Sequence, residues 1–221
     1  MNFEFEIISA QECERLESLH EPLAQAIRRL IDASIRTGAD AETILRAQLA
    51  IEAVSTSLER TETDRPRTLR HADTGRPVVW TNPAVGRHNP VAPVMTVHHE
   101  PAGGCWSEFT LGPVYEGPPG LVHGGICALV LDQILGEVAT DGMSKPRFTG
   151  TITLKYLRGT PLGPLRAESW VERIEGHKTY ARGFLSDGQG PTVEAEGVFI
   201  MPAWARDDDG LERSDSGIGT G

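Results

Sequence analysis

The sequence predicts an α+β fold in which one antiparallel sheet wraps around a central helix, with a helical extension ahead of it. Three observations predict it. From residue 94 the chain reads as two strand-like runs, one strongly apolar helix and a closing meander of four strand-like runs. The runs are separated by turns rich in glycine and proline. Residues 9–60 instead repeat apolar residues at helical spacing.

The first helix is expected over 9–36. Ser9-Ala10-Gln11-Glu12 fits a capping box, and Leu16, Leu19, Leu23, Ile27, Leu30 and Ile31 recur at helical intervals. Pro22 could bend it or split it. Gly38 ends it, and Asp40 can cap a second helix over about 41–60 with Ile44, Leu45, Leu49 and Val54. Arg, Thr, Asp and Pro dominate the next stretch, giving a linker over 61–82 after an extension of 1–60. Pro83, Pro90 and Pro93 call for an extended loop. Strands are expected at 94–100 and 105–111, joined by Pro101-Ala-Gly-Gly104. Gly117-Pro-Pro-Gly120 is a rigid turn before an apolar helix of about 123–140. Strands at 148–157, 165–175, 178–187 and 192–201 complete a domain of 83–203. The remaining residues, 204–221, read as a disordered tail.

The 221 residues carry a formal net charge of −10, which disfavours a nucleic-acid or anionic-membrane partner. No apolar run is long enough for a membrane span, and MNFEFEII places acids where a signal peptide needs bases. Cys13, Cys105 and Cys127 are too scattered for a disulfide framework or zinc ribbon. A cytoplasmic protein with reduced cysteines is expected. The histidines are isolated or adjacent on a strand, so no metal-ligand set is expected.

The apolar helix carries the chemistry. Ile126, Leu129, Val130, Leu131, Ile134, Leu135 and Val138 cover most of its circumference, which predicts burial nearly all round. Asp132 sits in its middle. A buried carboxylate is costly without partners, so Asp132 is either tied down by hydrogen bonds or faces a pocket and reacts. Gly124 and Gly125 open the helix although glycine is a poor helix former. A helix N-terminus offers N–H groups and a positive dipole end, the parts of an oxyanion hole, and glycines would let a ligand approach. A tight strand-to-helix turn would explain them equally. His123 and Asp132 lie nine residues apart, roughly 13–14 Å along an ideal helix and half a turn out of phase. If both are catalytic, two chains related by a dyad must supply them.

Gly117-Pro-Pro-Gly-Leu-Val-His-Gly-Gly125 followed by Asp132 resembles the PaaI-like hotdog thioesterases, in particular the THEM-type acyl-CoA thioesterases. The resemblance continues through Thr149-Gly-Thr-Ile-Thr-Leu-Lys-Tyr156, Leu157-Arg-Gly-Thr-Pro-Leu162, Gly176-His-Lys-Thr179 and Ser186-Asp-Gly188, over roughly 83–201. It implies a hotdog fold and hydrolysis of an acyl-CoA thioester to free acid and CoA. Asp132 would be general base or nucleophile. The Gly124 N–H would polarise the carbonyl, with His123 shaping the turn, and Thr149 would orient the water or the carboxylate. Gly125 and Asn89 would line the substrate site. Tyr156, Arg158, Gly159, His177 and Lys178 match places that touch CoA. No cofactor is implied beyond the coenzyme A of the substrate, and no metal. Homodimers or homotetramers are the implied assemblies.

Residues 145–182 hold eight bases against Glu168, Glu172 and Glu175, a local +5 that suits the phosphates of CoA. Two other readings stand beside hydrolysis: a hotdog dehydratase or hydratase acting on acyl thioesters, and a non-catalytic acyl-CoA sensor. A Cys105 or Cys127 nucleophile is a weaker third.

Overall fold

A computed structural model describes residues 5–61 and 68–206. Two compact units emerge. The first holds the described residues up to Thr96, with Glu108–Ile126 and Pro161–Leu165. The second holds Val97–Ser107, Cys127–Thr160 and the described residues from Arg166.

The first unit begins with β1 (Glu6–Ile8), which leads into α1 (Ala10–Arg36). The Ser9 side chain accepts a hydrogen bond from the Glu12 N–H at 3.2 Å, as the capping motif predicts. Pro22 lies inside α1 without splitting it. In the same way Asp40 accepts from the Thr43 N–H at 2.8 Å and starts α2 (Ala41–Glu59). The stretch read as a linker carries β2 (Leu69–His71) and β3 (Pro77–Val78). β1 pairs parallel to β2, and β2 antiparallel to β3. Ile8, Cys13 and Leu69 form a small buried core beneath this sheet, flanked by Leu16, Val78 and Trp80. The loop after β3 is fastened to α1. Trp80 Nε1 donates to Glu17 at 3.0 Å, and Arg28 Nη2 donates to the carbonyls of Arg87 and Asn89 at 2.9 and 2.7 Å.

The main sheet is six-stranded. Its strands are β4 (His98–His99), β5 (Gly104–Leu111), β6 (Phe148–Tyr156), β7 (Gly163–Glu175), β8 (Lys178–Asp187) and β9 (Gly190–Ile200), in the order β4-β5-β7-β8-β9-β6. The central helix α3 (Gly124–Ala139) lies between β5 and β6 in the chain. This is the hotdog arrangement of antiparallel sheet and central helix. The expected strand at 94–100 shrinks to the two residues of β4. Val94 takes φ 56°, a left-handed conformation that a β-branched residue rarely adopts, and no strand continues through it. Pro101–Gly104 makes the expected hairpin turn, with Gly103 at φ 92° and its N–H donating to Glu100 O at 3.0 Å. The expected tail from 204 begins with a 3-10 turn over Ala203–Ala205 whose last residue is buried; residues 207–221 lie outside the described part.

In the second unit, alternate residues of β8 and β9 point inward, among them Ala181, Leu185, Val193, Ala195 and Phe199. Val130, Leu131, Ile134 and Leu135 of α3 are fully buried. Ser169 Oγ of β7 donates to the Ile134 carbonyl at 2.8 Å, tying sheet to helix. Replacing Leu131 with alanine should cost about 2–5 kcal/mol through lost transfer energy and a cavity. The check is the urea midpoint, which should fall at unchanged slope.

The burial expected all round α3 is not found. Gly125 is exposed, and Ala128, Leu129, Asp132 and Gln133 are only half-buried. These positions recur at i, i+3, i+4, i+7 and i+8, so they form one open strip along the helix.

Candidate active site

Asp132 stands on this open strip. It is not an orphan carboxylate: Thr149 Oγ1 of β6 donates to Asp132 Oδ1 at 2.9 Å. The sheet is built to make that contact. Between β6 and β9, Thr149 pairs with Phe199 and Thr151 with Val198, so Gly150 is an extra residue in a bulge. A bulge bends its strand and re-aims the neighbouring side chain, here the Thr149 hydroxyl onto α3. A Cβ on Gly150 would come within 2.7 Å of Ile200 Cδ1, the end of a flexible side chain, so a larger residue there makes Ile200 move. The Thr-Gly-Thr triplet of the sequence was the signal for the bulge, but a strand pattern alone does not locate the extra residue.

The helix start is built from a different set of contacts. Glu116 and Val122 form an isolated bridge, and the Gly117 N–H donates to Leu121 O at 2.9 Å. Gly120 takes φ 75°, and its N–H donates to Glu116 Oε1 at 2.6 Å. The His123 N–H donates to Tyr115 O at 2.9 Å. The His123 side chain then turns back over the helix: its Nδ1 accepts from the Gly125 N–H at 3.0 Å. An accepting Nδ1 carries no proton, so the neutral ring holds its proton on Nε2. His123 thus caps the first turn of α3, and Gly124 is the first residue of that helix.

The other expected site residues are dispersed. Asn89 organises its own loop: its Nδ2 donates to Thr81 O at 3.1 Å and its Oδ1 accepts from the Val91 N–H at 3.1 Å. Tyr156 ends β6 and is about half exposed, with burial pushing its phenol above the ordinary range. Gly159 is exposed beside it, while the next residue, Thr160, is buried and donates to Thr192 Oγ1 at 2.8 Å. Arg158 clamps the turn joining β8 and β9. Its Nη1 and Nη2 donate to the two Asp187 oxygens at 2.9 and 2.5 Å, and Nη2 also reaches Gly190 O at 2.8 Å. Those hydrogen bonds hold the Asp187 carboxyl down at about 2, so the clamp stays ionised well below neutral pH. His177 and Lys178 sit at the β7–β8 turn, where Gly176 has φ 55° and His177 O accepts from the Met201 N–H at 2.8 Å.

The basic window does not stand alone. Lys145 lies against Asp141, Lys155 against Glu194, Arg166 against Glu168, Arg173 against Glu172 and Glu175, and Arg182 against Glu172 and Glu196. A count along the chain omits acids brought in across the sheet, so the +5 is largely offset in space. The cysteines are poor nucleophiles. All three are buried, and burial pushes the Cys105 thiol up to about 11 and the Cys127 thiol above its usual value. Among the described residues, no cluster of three or more His, Cys, Asp or Glu could hold a metal ion, and no helix is long and apolar enough to cross a membrane.

Comparison with known proteins accords with this geometry. Residues 119–194 match the family model described as Thioesterase superfamily. The chain is 38% identical over 73 residues to acyl-coenzyme A thioesterase THEM4 of Xenopus laevis, covering 33% of this chain and 32% of that protein. It is 33% identical over 99 residues to acyl-coenzyme A thioesterase THEM5 of Mus musculus, covering 42% and 38%. The matched part therefore spans less than two-fifths of either relative. A solved thioesterase superfamily protein superposes with a TM-score of 0.72 at 29% identity, covering 81% of this chain and 89% of its own.

Proposed function

We propose that this chain, whose hotdog domain falls in the thioesterase superfamily, hydrolyses an acyl-coenzyme A thioester to a carboxylic acid and free coenzyme A at sites shared between two copies. The observation that carries the reading is the Thr149–Asp132 hydrogen bond on the open strip of α3, downstream of a His-Gly-Gly helix opening. A structural carboxylate would be covered; this one is held in place and left accessible.

The thioester carbonyl oxygen accepts a hydrogen bond from the Gly124 N–H, where the helix dipole also favours developing negative charge. Asp132 supplies the attack. As a general base it removes a proton from water while the water oxygen bonds to the carbonyl carbon. The C–S bond then breaks, and the proton passes to the departing thiolate. As a nucleophile its carboxylate oxygen bonds to the carbonyl carbon and the C–S bond breaks, releasing the CoA thiolate; water then cleaves the mixed anhydride to the free acid and the Asp132 carboxylate, and the proton released passes to the thiolate. Thr149 orients the carboxylate in either course. Eight residues of helix separate Gly124 from Asp132, about 12 Å of rise, whereas a carbonyl and its attacker must lie about 3–3.5 Å apart. Each site therefore takes Gly124, with His123 and Gly125 shaping the turn, from one copy and Asp132 with Thr149 from the other. The edge strand β6 supports such pairing. It is nine residues long, sits at the rim of the sheet and is mostly exposed, which invites a second copy. The loop of Tyr156, Arg158 and Gly159 and the turn of His177 and Lys178 hold the CoA portion, with Arg158 acting by fixing its loop. Asn89 shapes the acyl side.

Release of free CoA from short, medium, long and aromatic acyl-CoAs tests this. Turnover of at least one class supports it. Acyl-CoA binding without hydrolysis would sink the enzyme reading and leave a sensor, and hydration of an enoyl-CoA in place of hydrolysis would favour the hydratase.

A further inference from the structure

α1 carries a charge on the side it turns to its own chain. Ala24 is buried, and Arg28 follows it one turn later on the same stripe, where arginine is rarely found without partners. Its Nη2 has them: it donates to the Arg87 and Asn89 carbonyls at 2.9 and 2.7 Å, with the Gly86 carbonyl at 3.4 Å. Nε and Nη1 are buried with no hydrogen-bond partner among the described residues, and burial pushes the guanidinium below its ordinary range. A desolvated charge is a costly way to dock a helix, since an apolar side chain would do it as well. What arginine adds is a fixed place for the carbonyls of residues 86 to 89.

The loop it fixes leads to the start of α3. Asn89, whose carbonyl Arg28 holds, accepts from the Val91 N–H at its Oδ1 at 3.1 Å. The Val91 carbonyl in turn accepts from the Tyr115 hydroxyl at 2.9 Å. Tyr115 closes a 3-10 turn, Pro113–Tyr115, that packs directly against α1. Its carbonyl accepts from the His123 N–H at 2.9 Å, and His123 caps the turn where Gly124 begins α3. Arg28 and Tyr115 are also close to each other. They line one cavity of about 200 Å³ together with Pro90, and burial raises the Tyr115 phenol while the nearby guanidinium draws it down. Every residue of this path lies in the first compact unit.

We infer that Arg28 is a positioning residue for the carbonyl-binding end of α3, acting through the loop of residues 86–91 and Tyr115, so that α1 is a working part of the active site. The inference rests on the thioesterase reading for its effect on rate, and its geometry can be tested without it.

Steady-state hydrolysis of acyl-CoA by the full chain tests it, with Arg28→Met, Tyr115→Phe and the double variant beside wild type. Methionine keeps the reach and loses the donors; phenylalanine loses only the hydroxyl. An interaction felt only in the transition state lowers kcat and leaves KM alone. So kcat should fall about tenfold for Arg28→Met and about fivefold for Tyr115→Phe at unchanged KM, part of the ~100-fold that a 1 Å misplacement can cost. The double variant should be no slower than Arg28→Met, because both act on one path. Glu17→Leu cuts the Trp80 bond between α1 and the other end of the loop, and it should lower the melting temperature while leaving kcat near wild type. Unchanged kcat in folded Arg28→Met or Tyr115→Phe, or an equal loss in Glu17→Leu, would overturn the proposal. Effects that multiply in the double variant would overturn it too. If Arg28→Met does not fold, Tyr115→Phe decides by the same criterion. Should wild type hydrolyse no acyl-CoA, the functional reading fails, and deuterium exchange at the His123 amide decides the inference separately. Faster exchange in Tyr115→Phe supports it, and equal exchange overturns it.

Discussion

Asp132→Asn should lower kcat for CoA release by at least about 100-fold and leave the fold unchanged, because a positioned general base or nucleophile is worth about 10²–10⁴. The substitution is nearly isosteric. It keeps an oxygen that can accept the Thr149 hydroxyl now held at 2.9 Å, and it removes only the basicity. Asp132 is half-buried and the substitution keeps its size, so the urea midpoint should stay with wild type. Thr149→Ala should act in the same direction and by less, about tenfold, because the carboxylate loses its orientation and keeps its charge. Equal turnover by Asp132→Asn would move the chemistry to another residue. A fall that tracks loss of folded protein would make Asp132 structural.

Gly117→Val should lower kcat/KM by roughly 10–100-fold without touching any reacting group, since displacements near 1 Å at a site can cost about 100-fold. A Cβ at residue 117 would lie 2.8 Å from His123 Cα and 3.1 Å from His123 Cβ. Neither is the end of a flexible side chain. The turn must shift, and with it His123 and the first turn of α3, where Gly124 begins the helix. A crowding model predicts a graded series, with Gly117→Ala milder than Gly117→Val, measured as kcat/KM beside melting temperature. An unchanged kcat/KM in the valine variant would show that this turn does not position the carbonyl-binding end.

Much of this was legible in the chain because the signals are local. The Ser9 and Asp40 caps act within three residues, and both appear as read. The strands β5 to β9 declare themselves by turns at fixed places, such as the Gly176 turn with its positive φ. What was not legible depends on distance. β1 is three residues long and pairs with residues 69–71, across both helices, so no window contains its partner. β4 is short because of a backbone conformation at Val94 that composition does not announce. The open strip of α3 reads as core in sequence, since the half-buried Ala128 and Leu129 are as apolar as residues of the interior. The charge of the basic window is offset in a way its sequence does not show, for a related reason: Asp187, Glu194 and Glu196 come in across the sheet from outside it. For the site, the sequence named Asp132 and Thr149, and the structure joins them by a hydrogen bond. The bulge at Gly150 that allows the contact needed the register of β6 against β9.

Mixing two defective variants tests most directly whether each site is shared between two copies. Asp132→Asn harms one contribution to a site and Gly117→Val the other. In a mixed pair, one site collects both defects and the other collects none. Unfolding and refolding the two variants together at equal amounts should restore CoA release to about one quarter of wild type, because half of the pairs are mixed and each has one intact site of two. A mixture no more active than the average of its parents, in samples that sediment as assemblies, would contradict the shared site and place both contributions within one chain.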